Sequence, residues 1–120
     1  MLPSSHQKVY QNFKEALKAL QEAVKHSSEE RQTTYHRVEH LFYSEVIPLT
    51  EAEINPEIVS RWRSIQTELH RMFKLLATDW LFLWSSRQMA TKQERLNVFC
   101  DRIEQMIKFC RILLEETDQS

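Results

Sequence analysis

The sequence predicts an all-α protein, namely an antiparallel four-helix bundle with a long third helix. Glycine is absent from the 120 residues, although β-turns and phosphate-binding loops depend on it. Apolar residues instead recur every three or four positions through four segments, which is the spacing of one helix face. A chain of this length supports one hydrophobic core. We therefore expect a single helical domain over residues 1–120.

The first helix is expected at 5–26. Ser4 and Gln7 have the spacing of a capping box, in which side chains bond the free backbone N–H groups of the first turn. The apolar residues that follow are spaced 3, 4, 3 and 4 apart, which predicts one buried seam: Tyr10, Phe13, Leu17, Leu20 and Val24.

The second helix is expected at 29–47, behind a second capping box formed by Ser27 and Glu30. Pro48 ends it, because the residue before a proline is pushed out of helical space. Residues 48–55 then form a connection. The buried side of this helix is predicted to be Tyr35, Val38, Leu41, Phe42, Val46 and Ile47.

The third helix is expected at 56–89, and its start is the clearest signal in the chain. Asn55 suits the N-cap, Pro56 the first helical position, and Glu57 places a carboxylate in the first turn. With a rise of about 1.5 Å per residue, the helix should be on the order of 50 Å long. Its main seam is Ile58, Trp62, Ile65, Leu69, Met72, Leu76, Trp80 and Leu83.

The fourth helix is expected at 92–115, after a corner at Met89-Ala90 and a capping signature formed by Thr91 and Glu94. The acidic tail at 116–120 should fray. The seam of this helix is the most regular of the four: Leu96, Phe99, Ile103, Met106, Cys110 and Leu113.

Composition limits the functions open to the chain. Its 16 Lys and Arg nearly balance 17 Asp and Glu, whereas nucleic-acid-binding domains usually carry a basic excess. Cys100 and Cys110 would lie roughly 15 Å apart on one helix, beyond disulfide reach, and reduced thiols are typical of a cytoplasmic protein. The apolar run 72–84 is too short for a membrane span of about 20 residues, and it contains Lys74 and Asp79.

The same run, 72–84, has more apolar surface than one bundle face requires. Beside the main seam, a second stripe includes Phe73, Leu81 and Trp84, and Phe82 lies on the other flank. Large exposed apolar patches usually mark interfaces, and two-fold symmetry is the commonest arrangement of identical subunits. We therefore expect a homodimer that uses these four residues. The alternative is that all of them are buried within one chain.

Cationic residues cluster where the third and fourth helices meet. Arg87, Thr91 and Arg95 could bind an acidic segment of a protein partner, with Lys92 and Arg102 nearby. Positive charge at the C-terminal end of a helix also complements the helix dipole, which explains Arg87 but not Arg95. A nucleic-acid-binding regulator that uses Arg87, Lys92, Arg95 and Arg102 is the alternative, opposed by the neutral charge balance.

One motif has the form of a catalytic zinc site. His36, Glu39 and His40 match the H-x-x-E-H pattern, in which two histidines on one helix face hold zinc and the glutamate acts as general base. A catalytic site also needs a third protein ligand and a substrate cleft, and no downstream helix offers an acidic pair that could supply the ligand. We interpret the two histidines as exposed residues beside the second seam, expect no metal or other cofactor, and keep a small zinc hydrolase as an alternative.

The C-terminal half resembles a known family. The connection 48–55, the segment Asp79-Trp-Leu-Phe-Leu-Trp-Ser-Ser-Arg87-x-x-x-Thr91-x-x-x-Arg95-Leu96, and the segment from Ile103 to Leu113 resemble the heterocyst frequency control (PatD) family of cyanobacteria. The resemblance implies a cytoplasmic, non-enzymatic regulator that limits heterocyst frequency in filamentous species. It also implies the tubulin-like division protein FtsZ as a partner, and Arg87, Thr91 and Arg95 as residues shared with the family.

Overall fold

The computed structural model describes residues 2–26, 29–85 and 87–118, and their side chains as far as Leu114. This part of the chain is helical and contains no β-strand, which confirms the all-α prediction. A π-helical turn, Phe42–Val46, continues the second helix. The molecule measures 50 × 23 × 22 Å. The four α-helices are α1 (Ser4–Lys25), α2 (Arg31–Leu41), α3 (Pro56–Ser85) and α4 (Met89–Asp118).

The predicted seams of α1 and α4 form the centre of the core. Every seam residue of α1 is fully buried, as are those of α4 from Phe99 onward, and Leu96 is half-buried. Each large apolar side chain buried in this way contributes about 1.5–3 kcal/mol relative to an exposed one. Alongside the core, Gln21 Nε2 donates to Glu104 Oε2 at 3.1 Å, so polar contacts also join the two helices.

Stacked aromatic rings fill the space between the second helix and α3. Tyr35 lies on Trp80 with ring centroids 4.3 Å apart and planes at 2°, and Phe42 lies on Phe73 at 4.1 Å and 18°. The Cα atoms of α2 and α3 stay more than 8 Å apart in the described part of the chain. The rings therefore set the separation of these two helices.

A chain of buried hydrogen bonds joins three elements. Trp62 Nε1 on α3 donates to the hydroxyl oxygen of Tyr10 on α1 at 2.8 Å, and that hydroxyl donates to Gln66 Oε1 at 2.6 Å. Gln66 Nε2 then donates to the carbonyl oxygen of Val46 at 2.8 Å. Val46 ends the π-helical turn, and its carbonyl also accepts from the Leu49 N–H at 3.2 Å. The network thus gives hydrogen-bond partners to four polar groups that are buried away from water. Burying polar groups costs little stability when all of them are bonded in this way.

The π-helical turn was not predicted, and it changes the end of the second helix. The Ile47 N–H bonds to the carbonyl of Phe42, five residues earlier, at 2.9 Å. The wider turn shifts the phase of the residues that follow it. Ile47, expected on the buried side, is exposed, whereas Phe42 and Val46 are buried as predicted.

The corner between α3 and α4 lies earlier than the predicted one. The Ser85 hydroxyl donates to the Phe82 carbonyl at 3.0 Å, a bond that competes with continuation of a helix. The Lys92 N–H bonds to the Gln88 carbonyl at 2.9 Å, so the next helix has already begun at Met89. Helix α3 therefore ends at Ser85 rather than 89, and α4 runs from Met89 to Asp118 rather than 92–115.

The capping predictions had different outcomes. Asn55 Oδ1 accepts from the Glu57 N–H at 3.0 Å, so Asn55 caps α3 as expected. Helix α1 has no side-chain cap; Gln7 Nε2 donates instead to the Leu2 carbonyl at 2.8 Å. Thr91 lies inside α4 rather than before it. Ser27, of the box before α2, lies outside the described residues.

Candidate functional site

Large apolar side chains are exposed where α3 faces α4. Phe82 on α3 is 53% exposed and Val98 on α4 is 47% exposed. Leu81, next to Phe82, is 72% exposed, and Met89 is also exposed at the start of α4. Single exposed apolar residues are common on any protein, so what matters is how Phe82 and Val98 are placed relative to each other.

Phe82 and Val98 line the same cavity. The guanidinium carbon of Arg95 lies 5.3 Å from the centroid of the Phe82 ring, within cation–π distance. With Asp79 and Glu94 these residues surround a cavity of about 200 Å³. The structure thus joins Phe82, predicted to form the dimer, with Arg95, predicted to bind a partner.

A second cavity extends the first along the two helices. It has a volume of about 230 Å³, shares Val98 with the first, and is also lined by Met72, Asp101, Arg102 and Gln105. Between the two, Arg102 Nε donates to Asp79 Oδ2 in an ion pair that joins α4 to α3. We call the residues of the two cavities together the α3–α4 groove.

Two of the predicted self-association residues lie elsewhere. Phe73 is only 1% exposed because Phe42 covers it, and Tyr43 packs edge-on against its ring at 5.6 Å. Phe73 is therefore part of the core of one chain and not of a surface open to a second copy. Trp84 is half-buried, edge-on to Trp80 at 5.2 Å. Of the four predicted residues, Leu81 and Phe82 remain on the surface.

The three predicted partner-binding residues are separated by the corner. Arg87 is exposed in the connection between the helices, Thr91 is half-buried in the first turn of α4, and Arg95 reaches the α3–α4 groove. Of these three, only Arg95 lines the cavity that contains Phe82.

The cationic residues of the nucleic-acid alternative do not form one face. Arg102 is paired with Asp79, and Arg95 shares its cavity with Asp79 and Glu94. Lys92 lies on another side of α4, with its Nζ atom 5.3 Å from the centroid of the Trp84 ring. A duplex or single strand requires a continuous basic track, and these positions do not provide one.

The candidate zinc motif lies on the surface of α2. His36 Nδ1 is 3.7 Å from Glu39 Oε1, and His40 Nδ1 is 3.5 Å from the Ser44 hydroxyl. Within residues 2–26, 29–85 and 87–118, no group of three or more His, Cys, Asp or Glu side chains is placed to hold a metal ion. The third ligand that a catalytic zinc needs is therefore missing from the described chain.

The two cysteines are poor nucleophiles. Burial raises the pKa of the Cys110 thiol to about 12, and burial also raises the pKa of Cys100. The thiolate is the reactive form, so both side chains remain thiols at neutral pH. Cys110 is part of the α4 seam, as the sequence indicated.

Sequence reasoning missed several residues of the groove, among them Val98 and Asp79. Val98 lies off the α4 seam, and its only sequence signal is an apolar residue between the seam positions Leu96 and Phe99. Asp79 was considered only as a charge that argues against a membrane span, and its pairing with Arg102 depends on how α3 and α4 pack.

Comparison of the chain with protein-family models, with curated proteins and with solved structures found no match. None of the described helices combines the length and the apolar character needed to cross a membrane.

Proposed function

We propose that this protein is a non-enzymatic regulator that acts by binding other protein chains at the α3–α4 groove. The observation that carries the proposal is Phe82, a large aromatic side chain that is half exposed, lies under the Arg95 guanidinium and lines a cavity with Val98. Aromatic residues and arginine are the side chains most enriched at the energetic centres of protein interfaces.

The length of the groove suits about three turns of an α-helix. From Met72 to Phe82 it follows α3 over ten residue steps, which is about 15 Å or three helical turns. Apolar side chains lie along its length, and the charged residues Glu94, Arg95 and Asp101 lie beside them. Amphipathic helices bind such grooves through apolar residues spaced three and four apart.

A second copy of the chain is the first proposed occupant. The groove contains carboxylates at Asp79, Glu94 and Asp101 and guanidinium groups at Arg95 and Arg102. In a two-fold interface the same surface meets itself, so carboxylates of one copy can face guanidinium groups of the other. Mixed charge of this kind supports a homodimer.

The proposed dimer is built from antiparallel bundles. Contacts between the second helix and α3 pair Tyr35 with Trp80 and Phe42 with Phe73, so residue numbers rise in one helix as they fall in the other. This order supports an antiparallel course for neighbouring helices, and α3 and α4 then form a hairpin that presents the groove.

The resemblance to the heterocyst frequency control family suggests the cellular role and the partner in this proposal. It implies a cytoplasmic regulator of cell differentiation in filamentous cyanobacteria, with FtsZ as the partner. Arg95 is the shared residue that lies in the groove, and we propose that it binds an acidic segment of FtsZ.

Self-association is tested with a pair of charge-adding variants on α3. Phe82→Glu places a carboxylate in the groove, whereas Thr67→Glu adds the same charge at an exposed position outside it. Light scattering should give twice the chain mass of 14.5 kDa for the wild type and for Thr67→Glu, and the chain mass itself for Phe82→Glu. A wild-type protein that stays at 14.5 kDa at every concentration would refute self-association.

The FtsZ proposal is tested separately with purified FtsZ. Arg95→Glu should weaken binding at least ten-fold, and Arg111→Glu, the same change at an exposed position of α4, should not. If the wild type does not bind FtsZ but does dimerise, FtsZ is discarded and the groove remains a self-association surface. If Arg111→Glu weakens binding as much as Arg95→Glu, the groove is not the FtsZ site.

A further inference from the structure

We propose that the two copies of the dimer meet with their α4 helices parallel, so that the two-fold axis runs between and along these helices. This inference rests on the self-association proposed above and adds its orientation. It follows from the side of α4 that borders the α3–α4 groove, which we call the α4 outer face. The α4 outer face consists of Glu94, Arg95, Val98, Asp101, Arg102 and Gln105.

The charges of the α4 outer face are sorted by sign onto two edges. Successive residues of an α-helix are rotated by about 100°, and Val98 lies at the centre of the face. Glu94 and Asp101 then lie about 40–60° to one side of Val98. Arg95 and Arg102 lie about 40–60° to its other side. The face therefore has an acidic edge and a basic edge.

The contacts of the structure agree with this division into edges. Arg95 of the basic edge has its guanidinium over the ring of Phe82 on α3. Arg102 of the same edge pairs with Asp79, which is also on α3. Asp101, on the acidic edge, borders a cleft that α4 shares with α1. The basic edge thus lies towards α3, inside the groove, and the acidic edge lies away from it.

Three of the four charges form no ion pair within the part of the chain that the structure describes: Glu94, Arg95 and Asp101. Ion pairs along a helix join residues three or four apart, and none of these three has an opposite charge at that spacing. The fourth charge, Arg102, has several N–H donors and can bond a second carboxylate beside Asp79. The face is therefore able to pair with charges from outside the chain.

Two-fold symmetry decides how two such faces can meet. If the two α4 helices are parallel, the acidic edge of each copy lies against the basic edge of the other. Glu94 of one copy then faces Arg95 of the other, and the pairing of Asp101 with Arg102 is formed in the same way. If the helices are antiparallel, the two basic edges meet and the two acidic edges meet, and like charges across an interface oppose association. Only the parallel arrangement matches opposite charges.

A disulfide between two copies tests the orientation directly. Gln105 lies near the centre line of the α4 outer face, seven residues after Val98. In a parallel dimer the two Gln105 positions face each other, so Gln105→Cys can form a disulfide. In an antiparallel dimer centred on Val98 they lie roughly 21 Å apart, whereas a disulfide needs Cα atoms within about 7 Å.

The cross-linking variants are made together with Cys100→Ser, so that the buried Cys110 is the only other thiol. Under mild oxidation, Gln105→Cys should become a covalent dimer on a non-reducing gel. The matched control is Arg111→Cys, at an exposed position on another side of α4, which should stay a single chain on the gel.

Charge reversal gives a second measurement of the orientation. Arg95→Glu should raise the dissociation constant of a parallel dimer about ten-fold, because the new carboxylate faces Glu94 of the other copy. Adding Glu94→Arg to the same chain restores opposite charges and should return the dissociation constant to the wild-type value. Arg111→Glu is the control and should leave it unchanged. Sedimentation equilibrium measures all four proteins.

Three results would overturn the proposal. In the first, the wild type is a dimer but Gln105→Cys does not cross-link, so self-association stands and the orientation is wrong. In the second, Arg95→Glu tightens the dimer, which is the effect expected when the two basic edges meet in an antiparallel pair. In the third, the wild type stays a monomer, and both the orientation and the self-association are discarded.

Discussion

Two aromatic residues of α3 lie in opposite environments, Trp62 in the first half of the helix and Phe82 near its end. In the first half Trp62 is buried, and its N–H is bonded within a network that reaches α1 and the π-helical turn. In the second half Phe82 is half exposed and has a cation from α4 over its ring. One helix therefore contributes both the most fully bonded part of the core and the surface we propose for binding. Packing and hydrogen bonding, rather than hydrophobicity alone, distinguish the buried aromatic residue from the exposed one.

The largest expected effect is a difference in stability between alanine variants of two phenylalanines of α3. Phe73→Ala removes a ring stacked on Phe42 inside the core and should lower the free energy of unfolding by about 3–5 kcal/mol. Phe82→Ala should change it by less than about 0.5 kcal/mol in dilute, monomeric protein, because the ring is largely in solvent. Urea unfolding followed by circular dichroism measures both. Similar losses for the two variants would break the comparison.

A smaller loss is expected from the buried network. Tyr10→Phe removes the hydroxyl that accepts from Trp62 and donates to Gln66, so both partners lose a hydrogen bond away from water. The free energy of unfolding should fall by about 1–3 kcal/mol. Tyr43→Phe is the matched control, because that hydroxyl belongs to an exposed side chain and its loss should cost less than about 0.5 kcal/mol. If Tyr10→Phe is as stable as the wild type, the network orients these side chains but does not stabilise the fold.

The smallest expected effect is a loss of folding stability that appears only at alkaline pH. Burial, with Glu39 nearby, raises the pKa of Tyr35 from 10.0 to about 12, so the folded state favours the neutral phenol. Unfolded chains release that proton near pH 10 while the folded protein retains it. Stability from this group is thus complete below pH 10 and is lost as the pH rises towards 12.

The check on this effect is the alkaline slope of stability. Tyr35→Phe should show a shallower fall of the unfolding free energy between pH 10 and 12 than the wild type, because it has one fewer phenol to ionise. Parallel curves for the two proteins in that range would contradict the burial of the hydroxyl.

Periodicity in the sequence predicted the core well, because burial in a helix follows a fixed angular repeat. The seam residues of α1 are all buried, as are Leu69 and Leu76 in α3, and Asn55 caps α3 as expected. Features that depend on competition between one or two alternative backbone hydrogen bonds were less predictable. The π-helical turn and the early end of α3 at Ser85 each result from one or two hydrogen bonds that leave no periodic signal.

The candidate sites were less predictable than the core, because they combine residues distant in sequence. The apolar surplus of 72–84 correctly indicated exposed side chains at Leu81 and Phe82. The burial of Phe73, in contrast to these two residues, was not predictable from the sequence. Its ring is covered by Phe42, which belongs to the second helix. Trp84 on α3 likewise has Arg31 of α2 and Lys92 of α4 near its ring, and no sequence pattern joins these three helices.

The hydrogen bond from Gln66 to Val46 has a mechanical consequence. Helices that interlock ridges into grooves resist sliding along each other, whereas flat stacked rings, such as those of Tyr35 and Trp80, have no ridges to oppose such motion. Gln66 Nε2 bonds one specific carbonyl at 2.8 Å, and a hydrogen bond of this length is lost when either helix slides by one residue. This amide therefore adds a directional contact that favours one axial alignment of the second helix on α3.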